Sequence, residues 1–163
     1  MNNTNRPVQP DIPTRAEAIV LLRYRDSVLL LREKGSDEWT FISRTPGRGD
    51  SLKACCQRGL KEMTGLEIRD RALLPYNVYY DTVKKIAAPV RRAASSVRFV
   101  YQAWQLKMPD ITPGPGTEEY RFVPISDLGT YKVAAPQMPI VKDLIAYNGE
   151  AVRRFGPEAP EEQ

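Results

Sequence analysis

The sequence predicts an α/β domain built from several strands and two amphipathic helices. Three observations predict it: an apolar hairpin over 16–32, an amphipathic helix that follows residue 50, and an apolar strand over 97–106 followed by a second helix. A chain of 163 residues can bury one core of ordinary size. We expect a flexible tail over 1–15, the folded domain over 16–155 and an acidic tail over 156–163.

The N-terminal part of the domain reads as a strand hairpin. Residues 16–24 (AEAIVLLRY) are apolar and β-branched, which predicts a buried strand. A short turn over 25–27 leads to a second strand over 28–32, and a charged turn over 33–38 follows it. The segment before the hairpin is polar and rich in proline, which is typical of a flexible tail.

An amphipathic helix is predicted between residue 50 and Gly65. Asp50 or Ser51 is expected to cap its N-terminus, because both side chains accept hydrogen bonds from free backbone N–H groups. We favour this capping role for Asp50 over a ligand-binding role. Gly65 stands where a left-handed residue ends a helix. The apolar residues recur at three- and four-residue spacing: Leu52, Cys55, Cys56, Leu60 and Met63.

The next segments predict an edge strand and a basic loop. Residues 73–80 form a strand candidate, in which Pro75 indicates a sheet edge or a bulge. Residues 84–96 (KKIAAPVRRAASS) predict a basic loop. This loop is either an arm that contacts phosphate or RNA, or a solvated connection.

The C-terminal third predicts two strands and a closing helix. Apolar residues on both faces of 97–106, among them Trp104 and Leu106, predict a strand covered from both sides. A loop over 108–117 and a strand-to-turn segment over 118–128 follow. The closing helix over 136–154 turns these residues inward: Ile140, Val141, Leu144, Ile145, Ala151 and Val152, with Phe155 packing at its end.

Composition limits the possible chemistry and location. The net charge is +4, and positive charge is concentrated in 44–98, which contains twelve Lys and Arg residues and five Asp and Glu residues. These cationic side chains either attract phosphates or keep exposed surfaces solvated. The absence of histidine leaves Asp and Glu as the candidate bases and hard cations as the candidate metals. No membrane helix or secretory signal is expected, and the adjacent Cys55 and Cys56 suit a reducing cytoplasm rather than a disulfide.

The segment 39–68, WTFISRTPGRGDSLKACCQRGLKEMTGLEI, resembles the Nudix box of the Nudix hydrolase superfamily. That motif is G-x5-E-x7-R-E-U-x-E-E-x-G-U, where U is aliphatic. When the motif is anchored on Gly65-Leu66, three further residues match it: Arg58, Leu60 and Glu62. The departures are Arg44 for the first Gly, Asp50 for the first Glu, Gly59 for the Glu after the Arg, and Met63 for the last Glu. Trp39 and Phe41 match the usual W-x-L lead-in, and 118–128 (EEYRFVPISDL) is similar to the family segment E-x-x-W-V-x-x-x-E-L.

The resemblance implies a Nudix fold over 16–154, with a mixed β-sheet sandwiched between helices in an α/β/α arrangement. Nudix enzymes cleave nucleoside diphosphates linked to another group, using Mg²⁺ or Mn²⁺ held by helix carboxylates. Positions 59, 62 and 63 share one helix face and here carry Gly, Glu and Met. Mg²⁺ requires several oxygen ligands, and a thioether is the wrong ligand type for it. Glu62 is therefore the single metal-ligand candidate; its other interpretation is an exposed carboxylate paired with Arg58.

Three functions follow from the resemblance. In the first, hydrolysis is lost and the protein binds a nucleotide, a nucleoside-diphosphate derivative, an RNA end or a protein partner, with no cofactor. In the second, it is a Mg²⁺- or Mn²⁺-dependent pyrophosphohydrolase using Glu62, with Glu118 or Glu119 as the catalytic base. In the third, a repurposed enzyme uses the same pocket. We favour the first. A homodimer is implied by the resemblance alone.

The candidate ligand-binding residues are cationic or aromatic. Arg44 and Arg48 lie in the loop before the helix, where the helix N-terminus already favours an anion. Arg58 either contributes to this site or anchors the loop through Asp50 or Glu62. Trp39 and Tyr80 either stack on a base or belong to the core.

Overall fold

The computed structural model describes residues 14–87 and 90–147, with side chains at 15–81 and 96–147. Within these residues seven strands form one sheet, and two α-helices accompany it. The strands are β1 (Thr14–Tyr24), β2 (Ser27–Glu33), β3 (Trp39–Thr40), β4 (Ile42–Arg44), β5 (Leu74–Ala87), β6 (Val90–Gln105) and β7 (Thr117–Pro124). The helices are α1 (Leu52–Thr64) and α2 (Met138–Ala146), and short 3-10 helices cover Asp70–Ala72, Ile125–Thr130 and Ala135–Gln137.

Strand β1 lies at the centre of the sheet. One of its edges pairs in parallel with β6 over its whole length, from Thr14 opposite Ser95 to Tyr24 opposite Gln105. Its other edge pairs antiparallel with β4 and, at the hairpin end, with β2. The strand order is β3-β2-β1-β6-β5, and β7 pairs with β2. Parallel and antiparallel pairs therefore coexist, which confirms the predicted mixed sheet.

Alternate side chains of β1 enter two cores on opposite faces of the sheet, as the two-residue period of a strand requires. Ile19 and Leu21 pack in the core that includes Ile140, Val141 and Leu144 of α2. Ala18, Val20 and Leu22 pack in the other core, which includes Cys55, Cys56, Leu60 and Met63 of α1. The sheet therefore lies between the two helices, which confirms the α/β/α arrangement.

The prediction of a basic loop over 84–96 is wrong. Strand β5 continues to Ala87, β6 begins at Val90, and the two run antiparallel as the arms of a long hairpin. The pairing over this segment is local, from Ala87 opposite Val90 to Asp81 opposite Ser96, and β1 joins β6 only from Ser95 onward. The bulge expected near Pro75 is confirmed between Pro75 and Asn77, and β5 is the last strand of the sheet order.

The closing helix is shorter than predicted within the described residues. It spans Met138–Ala146, and the positions predicted beyond 147, including Ala151, Val152 and Phe155, lie outside the described residues. Ile145, which was expected to face inward, is 45% exposed, because the buried stripe consists of Ile140, Val141 and Leu144.

Strand β6 is covered on both sides only up to Ala103. Trp104 is 38% exposed and Leu106 is 99% exposed, so the prediction of full cover was wrong at this end. The strand ends at Gln105, and Trp104 contacts the guanidinium of Arg23 at 4.3 Å instead of a helix. The strand-to-turn prediction for 118–128 is confirmed by β7 and the 3-10 helix Ile125–Thr130.

The sequence predicted no disulfide between Cys55 and Cys56 and no membrane helix. Cys55 and Cys56 are both free and buried on α1, as predicted from their adjacency. Burial raises the pKa of the Cys56 thiol to about 12, so this thiol stays protonated at neutral pH. No helix among these residues has the length and apolar character needed to span a membrane.

Leu60 tests how far α1 contributes to the fold. Its side chain is fully buried in the α1 core, so we expect Leu60→Ala to lower the free energy of unfolding by about 2–5 kcal/mol. Urea denaturation followed by circular dichroism measures the change. The neighbouring Lys61→Ala is the control, because that side chain is 68% exposed and its substitution should cost at most about 1 kcal/mol. Equal losses in the two variants would contradict the packing described for α1.

Candidate functional site

The candidate site is built on the loop that joins β4 to α1. Ser51 caps the helix, since its Oγ accepts a hydrogen bond from the Ala54 N–H at 3.1 Å. Gly65 ends the helix in the left-handed region at φ 75°, as predicted. The side of α1 that faces the loop presents Arg58 and Glu62. The side chain of Arg44, from β4, lies over the bare backbone of Gly59 on the same side.

Asp50 anchors the loop instead of capping the helix, so the role favoured for it from the sequence was wrong. Its Oδ2 accepts from the Gly47 N–H at 2.7 Å and from Nη1 of Arg58. The hydrogen bond with Arg58 is the main reason why the pKa of Asp50 lies below its usual value. Arg58 also donates to the carbonyl oxygen of Thr45 at 3.1 Å. Arg58 therefore holds two points of the loop, which is the anchoring role considered for it.

Arg44 forms an ion pair with the carboxylate of Glu62. The Nε–Oε2 distance is 2.8 Å, and the other oxygen, Oε1, lies 3.9 Å from Nε of Arg58. Each oxygen of Glu62 thus faces a guanidinium. The side chain of Glu62 is 47% exposed, so this pair is accessible to solvent and adds little to stability.

Gly59 leaves room for the side chain of Arg44. A Cβ atom at residue 59 would lie 3.0 Å from Cγ of Arg44 and 3.5 Å from Cγ2 of Ile42. The first distance is shorter than ordinary contacts between carbon atoms. Met63, the next position on this helix face, is 7% exposed and belongs to the α1 core. The helix face therefore offers a backbone, one paired carboxylate and a buried thioether.

These donors do not fit Mg²⁺ or Mn²⁺. Both ions prefer several oxygen ligands in near-octahedral geometry, and no cluster of three or more His, Cys, Asp or Glu suited to a metal occurs in 14–87 and 90–147. Glu62 is the one carboxylate on the face, and Arg44 and Arg58 surround it.

Glu118 and Glu119, considered as replacement bases, lie on β7 and pair with Arg32 of β2. The distances are 3.3 Å for Glu118 and 3.1 Å for Glu119, and Glu119 also contacts Arg121 at 2.8 Å. The hydrogen bond from Arg32 is the main cause that lowers the pKa of Glu119. A general base active near neutral pH needs the opposite shift. The structure joins these residues to Arg32 and not to Glu62.

The remaining sequence candidates have different surroundings. Arg48 is exposed at the tip of the loop, beside Gly49 with its φ of 82°. Trp39 is 9% exposed, meets Tyr131 edge-on at 5.5 Å and belongs to the α2 core. Tyr80 is 75% exposed on β5. Among these, Arg48 and Tyr80 are open to a ligand, whereas Trp39 presents little of its ring.

Two adjoining clefts open beside this loop. The smaller, of about 230 Å³, lies over the helix face and is lined by Glu17, Ser43, Arg44, Met63 and Gln137, among others. The larger, of about 720 Å³, is lined by Arg15, Glu17, Thr45, Ser96, Arg98 and Pro136, among others. Glu17 and Pro136 line both.

Sequence reasoning missed Glu17, Arg98 and Gln137. The available signal was a charged residue inside each of two apolar strands, at positions 17 and 98. Gln137 gave no signal; its Oε1 accepts from the buried N–H of Phe41 at 2.8 Å and ties the start of α2 to the sheet.

The fold agrees with the comparisons with known proteins. The model of the NUDIX domain family matches residues 13–144, so the chain belongs to that family. No curated protein matches the sequence.

Solved structures share the fold at low sequence identity. A MutT protein from Methanosarcina mazei Go1 aligns with a TM-score of 0.62 and 17% identity, covering 85% of this chain and 97% of that one. The E. coli dihydroneopterin triphosphate pyrophosphohydrolase aligns with a TM-score of 0.62 and 12% identity, covering 83% and 98%. A bifunctional NMN adenylyltransferase/ADP ribose pyrophosphatase from Francisella tularensis, complexed with AMP and a manganese ion, aligns with a TM-score of 0.59 and 14% identity. That alignment covers 84% of this chain and 42% of the other.

A double-mutant cycle tests the contact between Gly59 and Arg44. Gly→Ala inside a helix normally stabilises a protein by about 1 kcal/mol. We expect Gly59→Ala to give less than this in the native background, because the new Cβ meets Arg44, and to give the full gain in the Arg44→Ala background. The free energy of unfolding in urea measures both effects.

The matched control for this cycle is the Arg48→Ala background, which removes an exposed arginine of the same loop. There Gly59→Ala should behave as it does in the native protein. An identical effect of Gly59→Ala in the Arg44→Ala and Arg48→Ala backgrounds would contradict the close approach of Arg44.

Proposed function

We propose that this NUDIX-family protein binds a phosphate-bearing small molecule without hydrolysing it and without a divalent metal. The observation that carries the proposal is the ion pair of Arg44 with Glu62 across the bare backbone of Gly59. In the resembling enzymes, carboxylates on this helix face hold the metal. Here a guanidinium contacts the carboxylate that is left.

Electrostatics support metal-independent binding of an anion. Arg44 and Arg58 are largely neutralised by Glu62 and Asp50, whereas Arg48 at the tip of the same loop is exposed. A guanidinium can donate two parallel hydrogen bonds to phosphate oxygens. We assign the first contact with the phosphate to Arg48, with the loop held in position by Arg58.

The size of the clefts favours a small molecule over an RNA end or a protein partner. Small-molecule sites commonly enclose about 300–1,000 Å³, and the larger cleft has a volume of about 720 Å³. A nucleotide or a nucleoside-diphosphate derivative matches this size and supplies the phosphate. The Francisella tularensis protein, which shares this fold over 42% of its chain, was solved in complex with a nucleotide, AMP.

The first test is binding in the presence and in the absence of metal. We expect nucleoside diphosphates and ADP-ribose to bind with the same Kd in Mg²⁺ and in EDTA, as measured by isothermal titration calorimetry. Arg48→Gln should weaken binding several-fold, since it removes the exposed cation of the loop. Lys107→Gln is the matched control, because that lysine is exposed in the loop after β6.

The competing function makes the opposite prediction. Mg²⁺- or Mn²⁺-dependent turnover of ADP-ribose, a diadenosine polyphosphate or NADH, abolished by Glu62→Gln, would identify an active pyrophosphohydrolase. That result would overturn the non-hydrolytic proposal even if binding proved independent of metal.

The second test rebuilds an acidic helix face. The triple variant Arg44→Gly, Gly59→Glu, Met63→Glu should bind Mn²⁺, because it supplies three carboxylates on one face and removes the competing guanidinium. The double variant that keeps Arg44 should bind Mn²⁺ more weakly, since Arg44 lies over position 59. Electron paramagnetic resonance of free Mn²⁺ measures both.

The control for the rebuilt face replaces both new glutamates with glutamine. This variant has the same side-chain lengths and no carboxylates at 59 and 63. Native protein that already binds Mn²⁺ as tightly as the triple variant would overturn the assignment of the metal-free site.

A further inference from the structure

Glu17 of β1 and Arg98 of β6 are neighbours at the end of the sheet that borders the larger cleft. They are direct register partners in the parallel pairing, so their side chains leave the same face of the sheet. Adjacent strands lie about 4.8 Å apart. A carboxylate and a guanidinium therefore stand side by side on this face, and both line the cleft.

These two opposite charges do not pair with each other. Oε1 of Glu17 accepts from the Ser43 hydroxyl at 2.9 Å. Nη2 of Arg98 donates to Oδ2 of Asp81 at 2.6 Å, and Nη1 of Arg98 donates to Oγ of Ser96 at 3.3 Å. Each side chain is thus held by a partner on its outer side.

Both groups keep unused hydrogen-bonding capacity. Arg98 is 3% exposed, and its Nε has no hydrogen-bond partner in the part of the chain that the structure describes. An unpaired buried N–H of this kind is rare in folded proteins, and it leaves Arg98 with donor capacity for a further partner. Glu17 has a second carboxylate oxygen beyond the one that Ser43 contacts.

The charge arrangement selects a neutral, polar group. An anion beside Arg98 would also lie one strand away from the Glu17 carboxylate, which repels it, and Asp81 already balances the guanidinium. The complementary ligand edge has N–H donors for Glu17 next to a carbonyl acceptor for Arg98. A lactam has this order of groups.

We propose that the larger cleft binds the base of the nucleotide, and that its preferred base is guanine. The two parallel N–H donors of the guanine edge match the Glu17 carboxylate, and the neighbouring carbonyl accepts from Arg98. Hypoxanthine has one of these donors and the carbonyl. Adenine has an amino group and a ring nitrogen but no carbonyl, so it gives the weakest match.

This inference rests on the proposed function, because the phosphate of the same ligand binds at the adjoining loop. Thr45 and Pro46 of that loop line the larger cleft, and Glu17 and Pro136 line both clefts. One nucleotide can therefore contact the loop through its phosphate and the sheet through its base.

The experiment compares GMP, IMP and AMP, which differ only in the edge of the base. Calorimetry in EDTA with the native protein should give affinities in the order GMP, IMP, AMP, with GMP roughly tenfold or more tighter than AMP. Glu17→Gln should reduce the affinity for GMP about tenfold and leave AMP within about twofold, because the amide cannot accept two parallel N–H donors.

The controls separate the base site from the fold and from the phosphate site. Asp127→Asn, an exposed carboxylate in the 3-10 helix after β7, should leave all three affinities unchanged. Arg98→Lys tests the guanidinium; if that variant fails to fold, Glu17→Asp, which shortens the acceptor, gives the same discrimination test.

Two failures are distinguishable. Equal affinities for the three nucleotides, weakened by Arg48→Gln and unaffected by Glu17→Gln, would overturn the base assignment and leave the proposed function intact. Absence of binding by any nucleotide would overturn both.

Discussion

The parallel pairing of β1 with β6 is the interaction on which both cores and both clefts depend. It runs the length of β1, whose alternate side chains enter the two cores. The same strand pairs with β4 on its other edge, which sets Arg44 opposite Ala18. Because side chains alternate between faces, a register shift of one residue would move Glu17 away from Arg98 and turn Ile19 and Leu21 out of their core.

The ion pair at the helix face affects chemistry more than stability. An exposed ion pair contributes about 0–1 kcal/mol, and the Arg44–Glu62 pair is of this kind. Its effect on a divalent ion is larger, because a cation must compete with two guanidiniums for the one carboxylate on that face. The loop itself does not rely on this pair, since Ser51, Asp50 and Arg58 hold it by separate hydrogen bonds.

Local patterns predicted the elements whose signals lie within a few residues. The hairpin of β1 and β2, the helix α1 with its terminal Gly65, and the passage from β7 into a 3-10 helix all have such signals. The arms of the hairpin on either side of residues 88 and 89 were missed although they pair with each other, because their run of basic and small residues lacks the apolar alternation that marks a strand. The role of Asp50 was predicted wrongly, because its carboxylate pairs with Arg58 and leaves the capping of α1 to Ser51. Glu17 and Arg98 became neighbours only through the register of β1 and β6, which no short segment encodes.

The space above Gly59 has an evolutionary consequence. A Cβ atom at residue 59 would press on the side chain of Arg44, so a substitution at either position changes the space available at the other. A first step that introduces glutamate at 59 meets the arginine stem, and a first step that removes Arg44 leaves Glu62 with one distant cation. A glutamate at residue 59 is therefore best accommodated together with a smaller residue at 44, so we expect substitutions at the two positions to be coupled.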